Sequence, residues 1–305
     1  MGPAGPIRSA SVPIRRVLAT MRRTSLLLPL ILLHLSLGQP AAAHPGASAT
    51  IDHYSHEIEQ DPKNQRLHVL RGIAYSNDGR YDDALADFKQ AEKLGDPVLV
   101  SCDQGVLHYR KGQLDAALGY FDRYLEQYPA RGRGYCLEYR ARARRDSGDH
   151  AGSIRDFRRV IELEPRPNPA HYVSVATMLS ESGEGGIDEA LAILDAGIAK
   201  LGLNPQLQHH AIELELTSQR PDRALARGDA LRPILGDSPE WKVDMAELYL
   251  LNGASAQADR MLKDAKAQLQ LLRKTPARLR LQERINALER RSALANEPQI
   301  PMDGD

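Results

Sequence analysis

Apolar and small residues recur along this chain with the spacing expected of paired helices. Phe88, Phe121 and Phe157, the only three phenylalanines, stand 33 and 36 residues apart, and each lies four places after a small residue, Ala84, Ala117 or Ser153. Twelve places before each of these is another small residue, Gly72, Gly105 or Ala141, and eight or nine places after each phenylalanine is a proline, Pro97, Pro129 or Pro165. Positions four apart share a helix face, so each set places a small residue and a ring on one face of a helix, with a second small residue twelve places earlier and a proline that ends the helix. "RLHVLRGIAYSNDG" and "RYDDALADFKQAEKLGD" form the first pair, with Gly79 and Gly95 supplying turns. The second pair, "VLVSCDQGVLHYRKGQLDAALGYFDRYLEQYP", has His108 where the first has Tyr75, and the third runs from about Gly134 to Pro165.

Beyond Pro165 the pattern weakens without losing register. Ala190, Ala224 and Ala258 keep a spacing of 34, while the phenylalanine position is taken by Leu194, Gly228 and Leu262. Gly183 to Gly186 lengthen the turn of the fourth pair by about two residues. Trp241, the only tryptophan, falls where a packing aromatic is expected in the sixth. Ahead of the repeats, Ile51, Tyr54 and Ile58 are spaced for a short capping helix that Asp61-Pro62 stops. After Pro276, Leu281, Ile285 and Leu288 make one stripe of a terminal helix, and "EPQIPMDGD" is expected to be a disordered tail.

A period near 34 with Gly-x2-Tyr, Ala-x3-Phe and a closing proline resembles the tetratricopeptide repeat, over about Gln65 to Leu272. The resemblance implies an all-α fold, a right-handed α-solenoid of about six helix hairpins with terminal capping helices. In such a solenoid the first helices line a concave groove, and most members hold peptides, helices or other proteins there. Placing the family's groove positions on this chain selects Arg66, Val69, Ile73 and Asn77, then Cys102, Val106, Tyr109 and Arg110. Tyr135, Glu138, Arg142 and Arg145 follow, and then Val173, Thr177 and Ser180. The peptide-carboxylate clamp of chaperone-binding members is not expected, because Ile73 and Val106 stand where it needs asparagine.

Charge changes the picture at the amino terminus. The chain has 40 basic and 40 acidic residues, yet residues 1–43 contain five arginines and no acid. Arg22 and Arg23, the apolar run Leu26 to Leu37, and Ala41 to Ala43 before His44 follow the order of an export signal, with Met21 as an alternative start. A membrane-spanning helix needs about 20 apolar residues, more than this run supplies. The expected organisation is therefore a signal at 1–43, a linker and capping helix at 44–64, the solenoid at 65–272, a terminal helix at 273–296 and a tail at 297–305. Exported bacterial tetratricopeptide proteins are the type it resembles, with the periplasm or the exterior as destination. Without residues 1–43 the chain holds 35 basic and 40 acidic residues, a balance that gives no reason to expect nucleic-acid binding.

Candidate chemistry is sparse. Nine arginines and four acids fall between Arg131 and Arg159, so Arg110, Arg142 and Arg145 are candidates to receive an acidic partner segment, against the alternative of a helix face paired with its own acids. Cys102 and Cys136, the only cysteines, are a candidate disulfide between the second and third repeats or else two small buried thiols. His44, His53 and His56 offer a set of metal-ligand type, against plain exposed histidines on a capping helix. No nucleophile elbow, phosphate loop or zinc-protease helix is present, and no cofactor is implied. The expectation is a noncatalytic binding scaffold of the bacterial envelope that captures a protein or peptide. A structural oligomerisation module and a metal-binding periplasmic protein remain as alternatives.

Overall fold

The computed structural model describes residues 45–129, 134–183 and 185–296. The expected signal and tail, and His44, lie outside them. Helix α1 (Pro45–Gln60) precedes six helix hairpins: α2 (Gln65–Asn77) with α3 (Tyr81–Leu94), α4 (Pro97–Arg110) with α5 (Leu114–Gln127), and α6 (Gly134–Asp146) with α7 (His150–Leu163). Then come α8 (Pro169–Ser180) with α9 (Gly186–Leu201), α10 (Pro205–Thr217) with α11 (Pro221–Ala230), and α13 (Pro239–Leu251) with α14 (Ser255–Gln270). A single turn, α12 (Arg232–Leu235), interrupts the last connection, and α15 (Pro276–Asn296) covers the end. Each hairpin packs on the next, and the first helices α2, α4 and α6 also touch in sequence. Stacking of this kind makes an all-α solenoid in which each unit contacts only its neighbours.

Local chemistry starts most of the first helices. Asn64, Asp96, Asn168, Asn204 and Ser238 each accept a backbone N–H from the first turn of α2, α4, α8, α10 and α13. Such a side chain satisfies one of the four N–H groups that a helix start leaves without a partner. Pro97, read from sequence as closing the first pair, is the opening residue of α4. Both roles have one cause, since proline cannot donate an N–H within a helix but needs none at its first position. Within hairpins the turn is three residues, except between α8 and α9, where it is five, matching the lengthened turn. Gly79, Gly112, Gly148 and Gly253 occupy left-handed backbone at the shared turn position, while Gln219 does so in the fifth hairpin at φ 59°.

Small against large sets the separation of the helices. A Cβ added to Gly72 would come within 2.6 Å of the Phe88 ring, and one added to Gly105 within 2.5 Å of the Phe121 ring. Both rings are completely buried. In the third hairpin, where the small residue is Ala141, the Ser153 hydroxyl donates to the Ala141 carbonyl at 2.8 Å. In the fifth, Gly228 takes the phenylalanine position and receives Met245 and Leu248 of α13 instead. Trp241 is buried beside them and donates from Nε1 to the Gly228 carbonyl at 3.0 Å.

Helix propensity and close approach make opposite demands on these glycines, which separates two substitutions. Alanine gains about 1 kcal/mol over glycine inside a helix, while forcing a methyl into a filled core costs about 1–3 kcal/mol. Gly119, exposed on α5 with nothing within 4 Å of an added Cβ, feels only the gain. Gly119→Ala is expected to stabilise by up to about 1 kcal/mol and Gly105→Ala to destabilise by about 1–2 kcal/mol net, as read by urea unfolding.

Candidate functional site

Pairing each first helix with its second leaves one face of α2, α4 and α6 uncovered, and these faces meet in a cleft of about 740 Å³. Arg66, Val69, Leu70 and Ile73 line it from α2, Leu99, Cys102 and Asp103 from α4, and Tyr135 from α6, with Tyr124 of α5 beneath. A narrow recess continues it, where Ile73, Asn77, Val106, Arg110 and Tyr135 meet. Eight of the fifteen groove residues chosen from sequence are thus brought together: Arg66, Val69, Ile73, Asn77, Cys102, Val106, Arg110 and Tyr135. The lining is mostly apolar, and Leu99 and Tyr135 remain 39% and 43% exposed. Sequence reasoning missed Leu70, Leu99 and Asp103. Leu99 is visible only as an apolar residue in the first turn of α4, outside the repeat's groove positions.

Tyr109, Arg142 and Arg145 do not line the cleft. They belong to a polar strip running along α4 and α6. Tyr109 donates its hydroxyl to Asp146 Oδ2 at 2.7 Å, and Arg145 donates to Asp146 Oδ1 at 3.0 Å. Arg142 pairs with Glu138 one turn away and lies over the Tyr139 ring at 5.3 Å. Tyr139 in turn packs edge-on against Tyr135 and Tyr109, with ring centres 4.9 and 5.8 Å away. Arg110 bridges two repeats, donating to Asn77 Oδ1 at 2.6 Å and to Ser76 Oγ at 3.2 Å. Each of the three arginines expected to receive an acidic partner therefore has a partner within the chain.

Deeper arginines are held more tightly. Arg140 makes a two-pronged pair with buried Asp156 and also reaches Asp122 at 2.7 Å, while Arg144 adds a second cation to Asp156 at 2.9 Å. In the first hairpin Arg71 makes the same two-pronged pair with Asp87, whose other contact is His68 at 3.3 Å. Within the arginine cluster read from sequence, Arg140 and Arg144 tie the first helix to the second, while Arg142, Arg145 and Arg159 pair with acids of their own helices. Guanidinium and carboxylate match in shape and form two parallel bonds, so such pairs fix orientation as well as charge.

Comparison with known proteins bears on this geometry. The tetratricopeptide repeat family model matches residues 28–98 and 69–132. Over residues 28–132 the sequence matches tetratricopeptide repeats. The C-terminal part of a TPR repeat-containing protein from Cytophaga hutchinsonii is similar in structure, with a TM-score of 0.57 at 12% identity over 77% of this chain and 94% of that one. PilW, a widely conserved type IV pilus biogenesis factor, is similar at a TM-score of 0.51 and 16% identity, over 64% of this chain and 89% of its own. At such identities the likeness is one of fold. A comparison with curated proteins finds no match.

Within the tetratricopeptide framework the remaining candidates find plain places. Cys102 and Cys136 are both buried, in one cluster with Ala117, Phe121 and Tyr124, and no disulfide joins them. First helices of adjacent repeats pack about 8–10 Å apart, whereas a disulfide holds its Cα atoms within about 7 Å, a spacing that suits the alternative of two buried thiols. His53 packs beside Tyr54 on α1, and His56 faces Glu59 at 3.7 Å. Among the described residues no three His, Cys, Asp or Glu side chains gather as metal ligands would.

Two groove-side phenols carry a pH signature. Burial, and then the nearby Asp103 carboxylate, hold the Tyr135 phenol well above the ordinary range. Burial and the bond to Asp146 raise that of Tyr109. The unfolded chain loses such protons first, near pH 10. Their contribution to stability is therefore whole below about pH 10 and declines as pH rises past it. Urea unfolding between about pH 8 and 11 should show this alkaline loss, and Tyr109→Phe with Tyr135→Phe should flatten it.

Proposed function

We propose that this protein is a noncatalytic binding scaffold of the bacterial envelope that holds a segment of another protein in the groove of α2, α4 and α6. The observation that supports this most is the apolar cleft, with a leucine and a tyrosine left exposed beside Val69 and Ile73. Apolar area in water costs about 25 cal/mol per Å², so a segment that covers these side chains gains affinity without first opening the fold. A groove preformed by rigid helices also avoids the ordering cost that a mobile loop would carry. Capture of an extended or helical segment by alternate side-chain pockets is the mode that suits it.

The envelope half of the proposal rests on the signal-like order of Arg22-Arg23, Leu26 to Leu37 and Ala41 to Ala43. Among the described residues no helix is long and apolar enough to cross a membrane. Arg142 and Arg145 are poor positions for a test, because Glu138 and Asp146 already occupy them. Leu99 and Tyr135 do, since both are exposed and their replacement leaves the core intact. The protein, isolated from the envelope with an intact mass beginning at His44, is expected to retain a partner that Leu99→Asp with Tyr135→Ala loses while circular dichroism stays unchanged. Equal recovery of that partner by the variant would overturn the reading.

A further inference from the structure

The cleft has a chemical counterpart in the chain itself. We propose that the cleft of one copy receives residues 297–302 of a second copy, so that the protein self-associates through its own carboxy-terminal segment; this rests on the reading of the cleft as a peptide-binding surface.

The segment reads Glu297, Pro298, Gln299, Ile300, Pro301, Met302 and continues to Asp303 and Asp305, with three acids and no base in nine residues. Pro298 and Pro301 are three apart. In extended polyproline geometry, with three residues per turn, rings three apart would share one edge. Such segments dock on grooves walled by aromatic and aliphatic side chains, because the ordering cost is already low. Proline also lacks an N–H, which leaves fewer backbone donors to strand against an apolar wall. Tyr135, Leu99 and Ile73 supply such a wall, and Ile300 and Met302 supply further apolar side chains to cover it.

Charge agrees with this pairing. Arg66 lies exposed at the edge of the cleft, and its guanidinium has no partner among the described residues. Among the described lining residues Arg66 and Arg110 stand against Asp103 alone, a surplus of one positive charge facing an acidic segment.

Reach decides which copy is served. The segment begins after Asn296, the last residue of α15, which packs on the sixth hairpin, whereas the cleft lies on the first three. From α4 to α15 the path runs through α6, α8, α10 and α13, and at about 8–10 Å per step it spans roughly 40–50 Å. Five residues from Glu297 to Pro301 reach at most about 18 Å when fully extended. Five residues thus cover less than half of the contour between a copy's own cleft and its own segment, whereas exchange with a second copy needs no such span. Exchange between copies closes as a reciprocal dimer or runs on as a chain.

Sedimentation of the purified protein, beside a variant ending at Asn296, reads the proposal directly. The parent is expected to associate with rising concentration and the shortened variant to remain a monomer. A synthetic peptide of residues 297–305 should bind the shortened variant, and Arg66→Glu should weaken that binding at least about tenfold, as should Leu99→Asp. A scrambled peptide of the same composition should bind no better than background. Association that survives truncation, binding indifferent to Leu99→Asp, or equal binding of the scrambled peptide would each overturn the inference. If the shortened variant still recovers the envelope partner, and Leu99→Asp with Tyr135→Ala loses it, the proposed function stands while the self-association falls. If the cleft substitutions change neither assay, both fall together.

Discussion

The ring of Phe121 lies close against Gly105, where an added Cβ would meet it at 2.5 Å, and Phe88 stands in the same way to Gly72. This contact fixes how closely the two helices of a hairpin approach. It therefore fixes where the uncovered face of each first helix stands relative to the next. A cleft assembled from α2, α4 and α6 depends on those separations, because Ile73, Leu99 and Tyr135 come from three different repeats. Where the glycine is replaced by Ala141, the Ser153 hydroxyl reaches the Ala141 carbonyl and a bond holds what close contact holds elsewhere. In the fourth and fifth repeats the small residue moves to the second helix: Gly197 receives Tyr172 and Leu207, and Gly228 receives Met245 and Leu248. The weakened pattern after Pro165 is thus a change in which helix carries the small residue, and complementarity of size persists.

A second repeating device accompanies the first. Arg71, Gln104 and Arg140 each precede the small residue of a first helix, and Asp87, Tyr120 and Asp156 each precede the phenylalanine of the second. In the first and third hairpins these positions form two-pronged ion pairs across the two helices. The second has buried Gln104 instead. In the fifth the signs are exchanged, with buried Glu215 on the first helix meeting Arg220 and Arg227. Removing one partner of a buried pair strands the other, at about 3–5 kcal/mol, so these charges set register as firmly as the rings set distance.

The architecture was legible because spacing of small and large residues is a property of the chain itself. Gly72 to Ala84 to Phe88 can be counted, and Leu281, Ile285 and Leu288 declare their stripe without reference to anything distant. The groove was legible in part. Val69, Ile73 and Tyr135 follow from the repeat register, but Tyr109, Arg142 and Arg145 were placed with them on the same reasoning and belong to the strip beside the cleft. Which of two adjacent helix faces opens to solvent depends on the rotation of α6 against α4, and that rotation is set by contacts far apart in sequence. The pairing of Arg142 with Glu138 was visible as a four-residue interval. That of Arg110 with Asn77, 33 residues away, emerges only when the repeats stack.

The dependence of hairpin geometry on ring-to-glycine contact is tested most directly by a double-mutant cycle of Gly105→Ala and Phe121→Leu, read by urea unfolding. If the ring alone makes a methyl at position 105 intolerable, the alanine is expected to cost about 1–2 kcal/mol beside Phe121 and to be neutral or stabilising beside leucine, a coupling of at least about 1 kcal/mol. An alanine cost that is the same in both backgrounds would contradict the account.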